Sequence, residues 1–168
     1  MEIHSLSDLF EYELDGTYYV ENRLVDELDG MAARATHEEV SRAFEAHRDE
    51  TREHVDRLER VFELLGRTPA EAAVRELDGL IEDRERFDAS IRDDDLRDMY
   101  YLGAAARAER LEIASYRTLL MHVDKLDLGN EVRKPLEDTL DEEEETLHRL
   151  RSMAGGSKLG SLIRRLTG

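Results

Sequence analysis

Cysteine is absent from this chain of 168 residues, which excludes disulfides, zinc knuckles, iron–sulfur clusters and thiol chemistry. Tryptophan is also absent, and proline occurs only twice. No apolar run approaches the roughly 18 residues that a membrane span needs. The opening segment MEIHSLSDLFEYEL is acidic, unlike a secretory leader, so a soluble, cytoplasmic protein with no membrane partner is expected. Lysine is the scarcest charged residue: only Lys125, Lys134 and Lys158 occur, against 21 arginines.

Acid is abundant. Forty-one Asp and Glu outweigh 24 basic residues and leave a net charge of −17, which argues against a nucleic-acid partner because phosphate would be repelled. High acid with almost no lysine matches the habit of halophilic proteins, in which carboxylates hold water and salt screens their repulsion. The composition does not describe a disordered acidic chain, since 40% of residues are hydrophobic and they fall in register. The length suits one domain with a core of its own.

That register is helical almost throughout, with no convincing strand alternation. A first helix is expected from Ser5 or Ser7 to about Ala33. A second should be capped by Thr36 with Glu39 as its capping box, and should stop at Gly66. Thr68-Pro69 should start a third segment running to about Ile91. Asp93–Asp95 form a turn and cap before a long fourth helix, which Asp127–Asn130 break. The last helix ends at Gly155-Gly156, with Pro135 near its start. Short turns make two antiparallel hairpins, and the long helical crossover between them is that of a ferritin-like four-helix bundle. The bundle should occupy residues 1–154, followed by a short basic tail at 155–168.

Helical phase places several acids where leucines are expected. Glu21 falls in the apolar stripe of the first helix, Glu109 at the centre of the fourth-helix stripe, and Glu112 about 60° away. Glu143 lies between Leu140 and Leu147. Glu50 is on the shoulder of its stripe, beside the inward-facing His47 and His54. In each hairpin the acids of both helices lie about 14 to 16 residues from the turn, so four helices aim carboxylates at one level. Unpaired, that much buried charge would cost many kcal/mol or force protonation. Two metal ions bridged by carboxylates would resolve it, with His54 or His47 as the nitrogen ligand. Oxygen-rich ligation suits iron or manganese. The other resolution is a watered core with the acids neutral or paired to arginine.

Other candidates point away. Glu145-x-x-His148 has the spacing of a di-iron motif but should face solvent, like the Glu142–Glu145 run and Glu53. His4, His37 and His122 lie at ends or turns and read as surface residues.

The segments DGTYYVENRL (15–24), AFEAHRDETREHVDRLERVFELLG (43–66), ELDGLIED (76–83), AERLEIASYRTL (108–119) and LEDTLDEEEETLHRL (136–150) resemble the YciE/YciF-like branch of the ferritin-like superfamily. The sharpest motifs are Glu109-x-x-Glu112-Ile-Ala-Ser-Tyr and His47-x-x-Glu50-Thr. The resemblance implies a bundle, commonly dimeric, with a di-iron centre and a stress-response setting. It carries over to Glu21, His47, Glu50, Glu109, Glu112 and Glu143. Position 54 is His where relatives often carry Gln, and position 147 is Leu where they often carry Asp.

The expected function is therefore a di-iron, or di-manganese, oxidase or peroxidase acting on Fe(II) with peroxide or oxygen. Glu112 or Glu50 would bridge the ions, and Glu21 and Glu143 would be terminal ligands. Tyr116 is either a hydrogen-bond donor to the site or a plain core residue. The alternative is a metal-free structural or interaction bundle. The tail from Gly155, with Leu159, Leu162, Ile163 and Leu166 beside Arg164 and Arg165, is expected to dock on acidic protein surface or to be disordered.

Overall fold

Ser5 begins the first helix by accepting a hydrogen bond from the Asp8 amide, while its own amide donates to the Asp8 carboxylate. The helix so capped, α1 (Leu6–Arg34), is followed by α2 (Glu38–Leu64), α3 (Arg75–Ser90), α4 (Asp94–Leu126) and α5 (Asn130–Gly155). These assignments come from a computed structural model that describes residues 2–155. Helices are the only regular elements among the described residues. The tail from residue 156 onward lies outside them, and with it the expectation that it docks.

α1 packs along α2, and α4 along α5. The two hairpins then join through α1 on α4 and α2 on α5, with α3 laid against α4. This is the ferritin-like arrangement, with the crossover shorter than its sequence predicts. Pro69 does not start a helix: residues 67–74 run as an irregular strap, and α3 begins only at Arg75. The strap crosses α1, where the Ala72 amide donates to the Asp15 carbonyl. Gly16 permits the approach, since a Cβ there would sit 3.3 Å from the Val74 side chain. A tertiary bond thus claims backbone that local preference would have given to helix.

The α1–α2 turn also departs from its local signal. His37, not Thr36, is the N-cap residue of α2, and no side chain of its own segment caps it. Instead the buried carboxylate of Asp98, on α4, accepts from the amides of Thr36 and His37. At the other turn, Asp127 and Gly129 take left-handed backbone and end α4 cleanly. Pro135 lies inside α5. It cannot donate to the carbonyl of Glu131, but Glu131 is exposed, so water can satisfy that oxygen.

The core has two large apolar clusters and a small third one of Ala106, Ile113 and Leu147. Toward the α1–α2 turn, Leu24, Leu28, Phe44, Leu77, Tyr101 and Leu102 form one apolar cluster. Toward the α4–α5 turn, Phe10, Leu58, Phe62, Tyr116, Leu119 and Leu136 form another. Each fully buried large side chain of this kind contributes about 1.5–3 kcal/mol. Between the clusters lies a layer of buried acids and histidines, which the apolar ends hold in place.

Candidate metal centre

Each helix of the four-helix bundle contributes to this polar layer. α1 supplies Glu21, α2 supplies His47 and His54, α4 supplies Glu109 and Glu112, and α5 supplies Glu143. All six are buried, with Glu21, Glu109 and Glu143 wholly removed from solvent. His47 and His54 are two turns apart on one face of α2, and Glu109 and Glu112 are one turn apart on α4.

Their ligand atoms fall into two groups. Glu21, His54 and Glu143 form one, and His47, Glu109 and Glu143 form the other, with the atoms of each within 4.8 Å of one another. In the first, His54 Nδ1 lies 2.9 Å from Glu143 and 3.5 Å from Glu21. In the second, His47 Nε2 lies 3.2 Å from Glu109. Glu143 is the residue common to both. Glu112 belongs to neither group, yet its buried carboxylate feels the charges of Glu143, Glu21 and Glu109.

The site is short of donors. With the acids ionised, ten side-chain atoms on these six residues are buried without a well-aligned hydrogen bond, although some lie close to one another. Such atoms are rare in folded proteins, because each loses its hydration with nothing in return. Protonation makes up part of the deficit. Burial, reinforced by the Glu143 charge, holds Glu109 and Glu112 protonated well above the usual carboxylate range. Burial also raises Glu21, against the opposing pull of His54. Burial would raise Glu143 too, but hydrogen bonds from His54 and Glu109 keep it below its ordinary value.

The histidines differ. Burial would lower His54, but hydrogen bonds to Glu143 and Glu21 and their charges push it up to about 11. Burial pushes His47 down to about 4, so its ring is neutral. All the donors are carboxylate oxygen or imidazole nitrogen, a set that fits hard or borderline divalent ions such as iron and manganese.

The family described as a domain of unknown function, DUF892, matches residues 5–160. The chain belongs to the DUF892 family. Among curated proteins it is 31% identical to YciF of Escherichia coli over 155 residues, covering 92% of this chain and 93% of that one. Among solved structures, the E. coli stress protein YciF superposes with a TM-score of 0.84 at 31% identity, covering 90% of this chain and 96% of the other. YcfI of Rhodopseudomonas palustris, whose proposed role is structural, gives 0.87 at 28% over the same shares. A protein of Xanthomonas campestris gives 0.73 at 25%, covering 96% and 97%.

Within this DUF892 bundle, six of the seven residues singled out in the sequence meet in the polar layer. Glu50 stands apart at its rim, where Thr146 and Arg149 donate to its carboxylate at 3.0 and 2.8 Å. The position common to both groups is Glu143 rather than Glu112 or Glu50. Glu53, Glu145 and His148 are exposed. His4 is exposed, and the half-exposed His37 binds Asp98. His122 is buried, contrary to expectation, because α4 runs past it to Leu126 and keeps it within the packed part of the helix.

Glu142 is more than part of a solvated charge run. It lies 3.0 Å from His54 Nε2, and Arg57 grips its carboxylate from the other side and lowers its pKa. The signal was present: Glu142 precedes Glu143 on the flank that faces α2. Tyr116 is a core residue and also a donor, its hydroxyl bonding Glu21 Oε1 and leaving Oε2 unpaired.

Proposed function

We propose that this protein is a di-metal carboxylate protein, loaded with two ions of iron or of manganese, that consumes peroxide or oxygen and protects against oxidative stress. The observation that carries the reading is the set of ten buried ligand atoms without an aligned partner, eight of them in two groups sharing Glu143. Glu21, His54 and Glu143 would hold one ion, and His47, Glu109 and Glu143 the other, with Glu112 completing the set. When bound, iron or manganese supplies reversible one-electron change between the divalent and trivalent states.

The residues prepare for this without it. Glu21, Glu109, Glu112 and Glu143 carry four negative charges when ionised, which balance two divalent cations. His47 is held neutral by burial, so a ring nitrogen is free to ligate. Glu142 accepts a hydrogen bond from His54 Nε2 and thereby aims Nδ1 toward Glu21 and Glu143, an outer partner of the kind that orients metal-binding histidines. Tyr116 fixes the rotation of Glu21. The apolar clusters above and below exclude water from the layer.

The stress setting is carried from the E. coli relative, which is described as a stress protein. A homodimer, a cytoplasmic location and a high-salt habitat belong to the same reading. No helix among the described residues is long and apolar enough to cross a membrane. The arginine-paired acid surface, with Arg84 on Glu27 and Arg48 on Asp29, suits salt-screened water.

The test is metal analysis of protein purified without chelator, followed by anaerobic Fe(II) reconstitution and exposure to peroxide or oxygen. Two ions per chain and oxidation of Fe(II) are expected, and no uptake on reconstitution would overturn the reading. A second reading, a metal-free structural bundle, draws on His54 closing an ion pair with Glu143. The double variant Glu109→Gln, Glu143→Gln separates the two. The di-metal reading predicts lost metal, while the structural one predicts equal or greater stability.

A further inference from the structure

The His47 side of the centre opens onto a cavity between α1, α3 and α4. Its inner end is formed by His47 and Glu109, and its outer end by the Glu27–Arg84 ion pair, closed at 2.6 Å. Between these ends the walls are apolar: leucines of α1, Leu77 and Ile81 of α3, and Ala104, Ala105 and Ala108 of α4. The three alanines create the space, because larger residues there would fill the gap under α3. Room for the centre of a water-sized molecule is about 30 Å³, against the roughly 10–15 Å³ that one such molecule needs.

A space of this kind selects by chemistry. Water or hydrogen peroxide in the middle of it would lose hydrogen bonds at a cost of several kcal/mol, and a bare cation far more. A small apolar gas loses nothing, and apolar cavities take up such atoms readily. The opposite side of the centre is its converse: there Glu50, Thr146 and Arg149 form a polar, partly exposed rim.

We propose that the α1–α3–α4 cavity is the path by which dioxygen, as an apolar diatomic, reaches the His47–Glu109 half of the centre. The proposal rests on the di-metal reading and names the oxidant that its site is shaped to admit. The path begins at the Glu27–Arg84 pair, passes Leu77 and Ala105, and ends on the His47 ring. Peroxide and metal ions, which the apolar walls reject, need a polar approach such as the rim.

The cavity is tested first without metal or turnover. Crystals of the metal-free protein under xenon pressure should show xenon between Leu77 and Ala105, and Ala105→Leu should remove it. In reconstituted protein, Ala105→Leu should retain two ions per chain and slow Fe(II) oxidation by limiting dioxygen at least tenfold. Oxidation by peroxide should change less than twofold. Ala108→Val provides the same comparison with a smaller side chain should Ala105→Leu not fold. No xenon in the wild type, or equal loss with both oxidants while metal content stays at two, overturns the path alone. Xenon seated in a protein that takes up no metal overturns the di-metal reading, and dioxygen as the occupant with it.

Discussion

His54 and His47 lie on the same face of one helix, are both buried, and differ in almost everything else. His54 is clasped from both ring nitrogens, by Glu142 outside and by Glu143 and Glu21 inside, and holds its proton up to about 11. His47 meets Glu109 at 3.2 Å without an aligned hydrogen bond, has no partner for its other nitrogen, and is neutral above about 4. Burial alone would have lowered both, so the difference comes from the neighbouring carboxylates. One half of the centre is pre-ordered and must release a proton before a metal can ligate. In the other the ring is already neutral, the proton sits on Glu109 instead, and the ring adjoins the apolar cavity.

Removing Glu143 should abolish the comparison, since both halves use it. Glu143→Gln is expected to weaken binding of both ions by more than about 100-fold, beyond the 10–100-fold typical of losing an outer partner. Metal titration followed by calorimetry would show this, and retention of one tight ion would mean that Glu143 serves a single half.

Glu142→Gln should sharpen the comparison by loosening the His54 half alone. The expected loss is about 10–100-fold for one ion of the two. Stoichiometry at limiting metal should then approach one per chain, whereas equal weakening of both ions would remove the distinction between the halves.

A pH series reads the protons directly. Above pH 6.5 an unfolded His54 has released the proton that the folded ring keeps to about 11. Above about 4.5 the unfolded chain has likewise released those that folded Glu109 and Glu112 retain. The metal-free protein should therefore lose stability as pH rises from 6.5 to 8.5, by up to about 1.4 kcal/mol per pH unit for the His54 proton, with Glu109 and Glu112 acting in the same direction from lower pH. His47 is neutral in the folded protein, so its unfolded ring adds an opposing slope near pH 6.5 that fades by about pH 7.5. Metal uptake displaces the protons, so the loaded protein should show the opposite trend. Denaturant melts with chelator and with metal would show it, and parallel slopes would contradict the proton assignment.

The smallest effect is expected at the rim. Glu50→Gln should alter metal affinity less than about threefold, because Thr146 and Arg149 already engage that carboxylate. A loss comparable to that of Glu143→Gln would bring Glu50 into the coordination sphere.

How much of this was legible in the sequence depended on whether the signal was local. Helical phase turned Glu21, Glu109, Glu112, Glu143 and both histidines inward, because direction follows from 3.6 residues per turn, and distance from the hairpin turns set the acids at one level. The α1, α4 and α5 boundaries were legible for the same reason. What escaped depended on partners distant in sequence. The strap that unwinds Pro69–Val74 is held by a carbonyl on α1, and the α1–α2 turn is braced from α4. Glu142 was hidden by its company, since three neighbouring acids do face water and only the fit against α2 draws it in. The sharing of Glu143 between two groups likewise needed the relative depth of α5 and α4, which no single helix encodes.

Asp98 has a consequence for how this bundle tolerates change. It stands eleven residues before Glu109 on α4, three helical turns and about 16 Å away, on nearly the same azimuth. By gripping the Thr36 and His37 amides of the opposite hairpin, it clamps the rotation of α4 at one end. The clamp sets the phase with which Glu109 and Glu112 arrive at mid-helix. A one-residue insertion between Asp98 and Glu109 would turn them by about 100° and point them away from the centre, with every helix still formed. Substitutions along that stretch of α4 can therefore accumulate, while a change in its length would erase the site in one step.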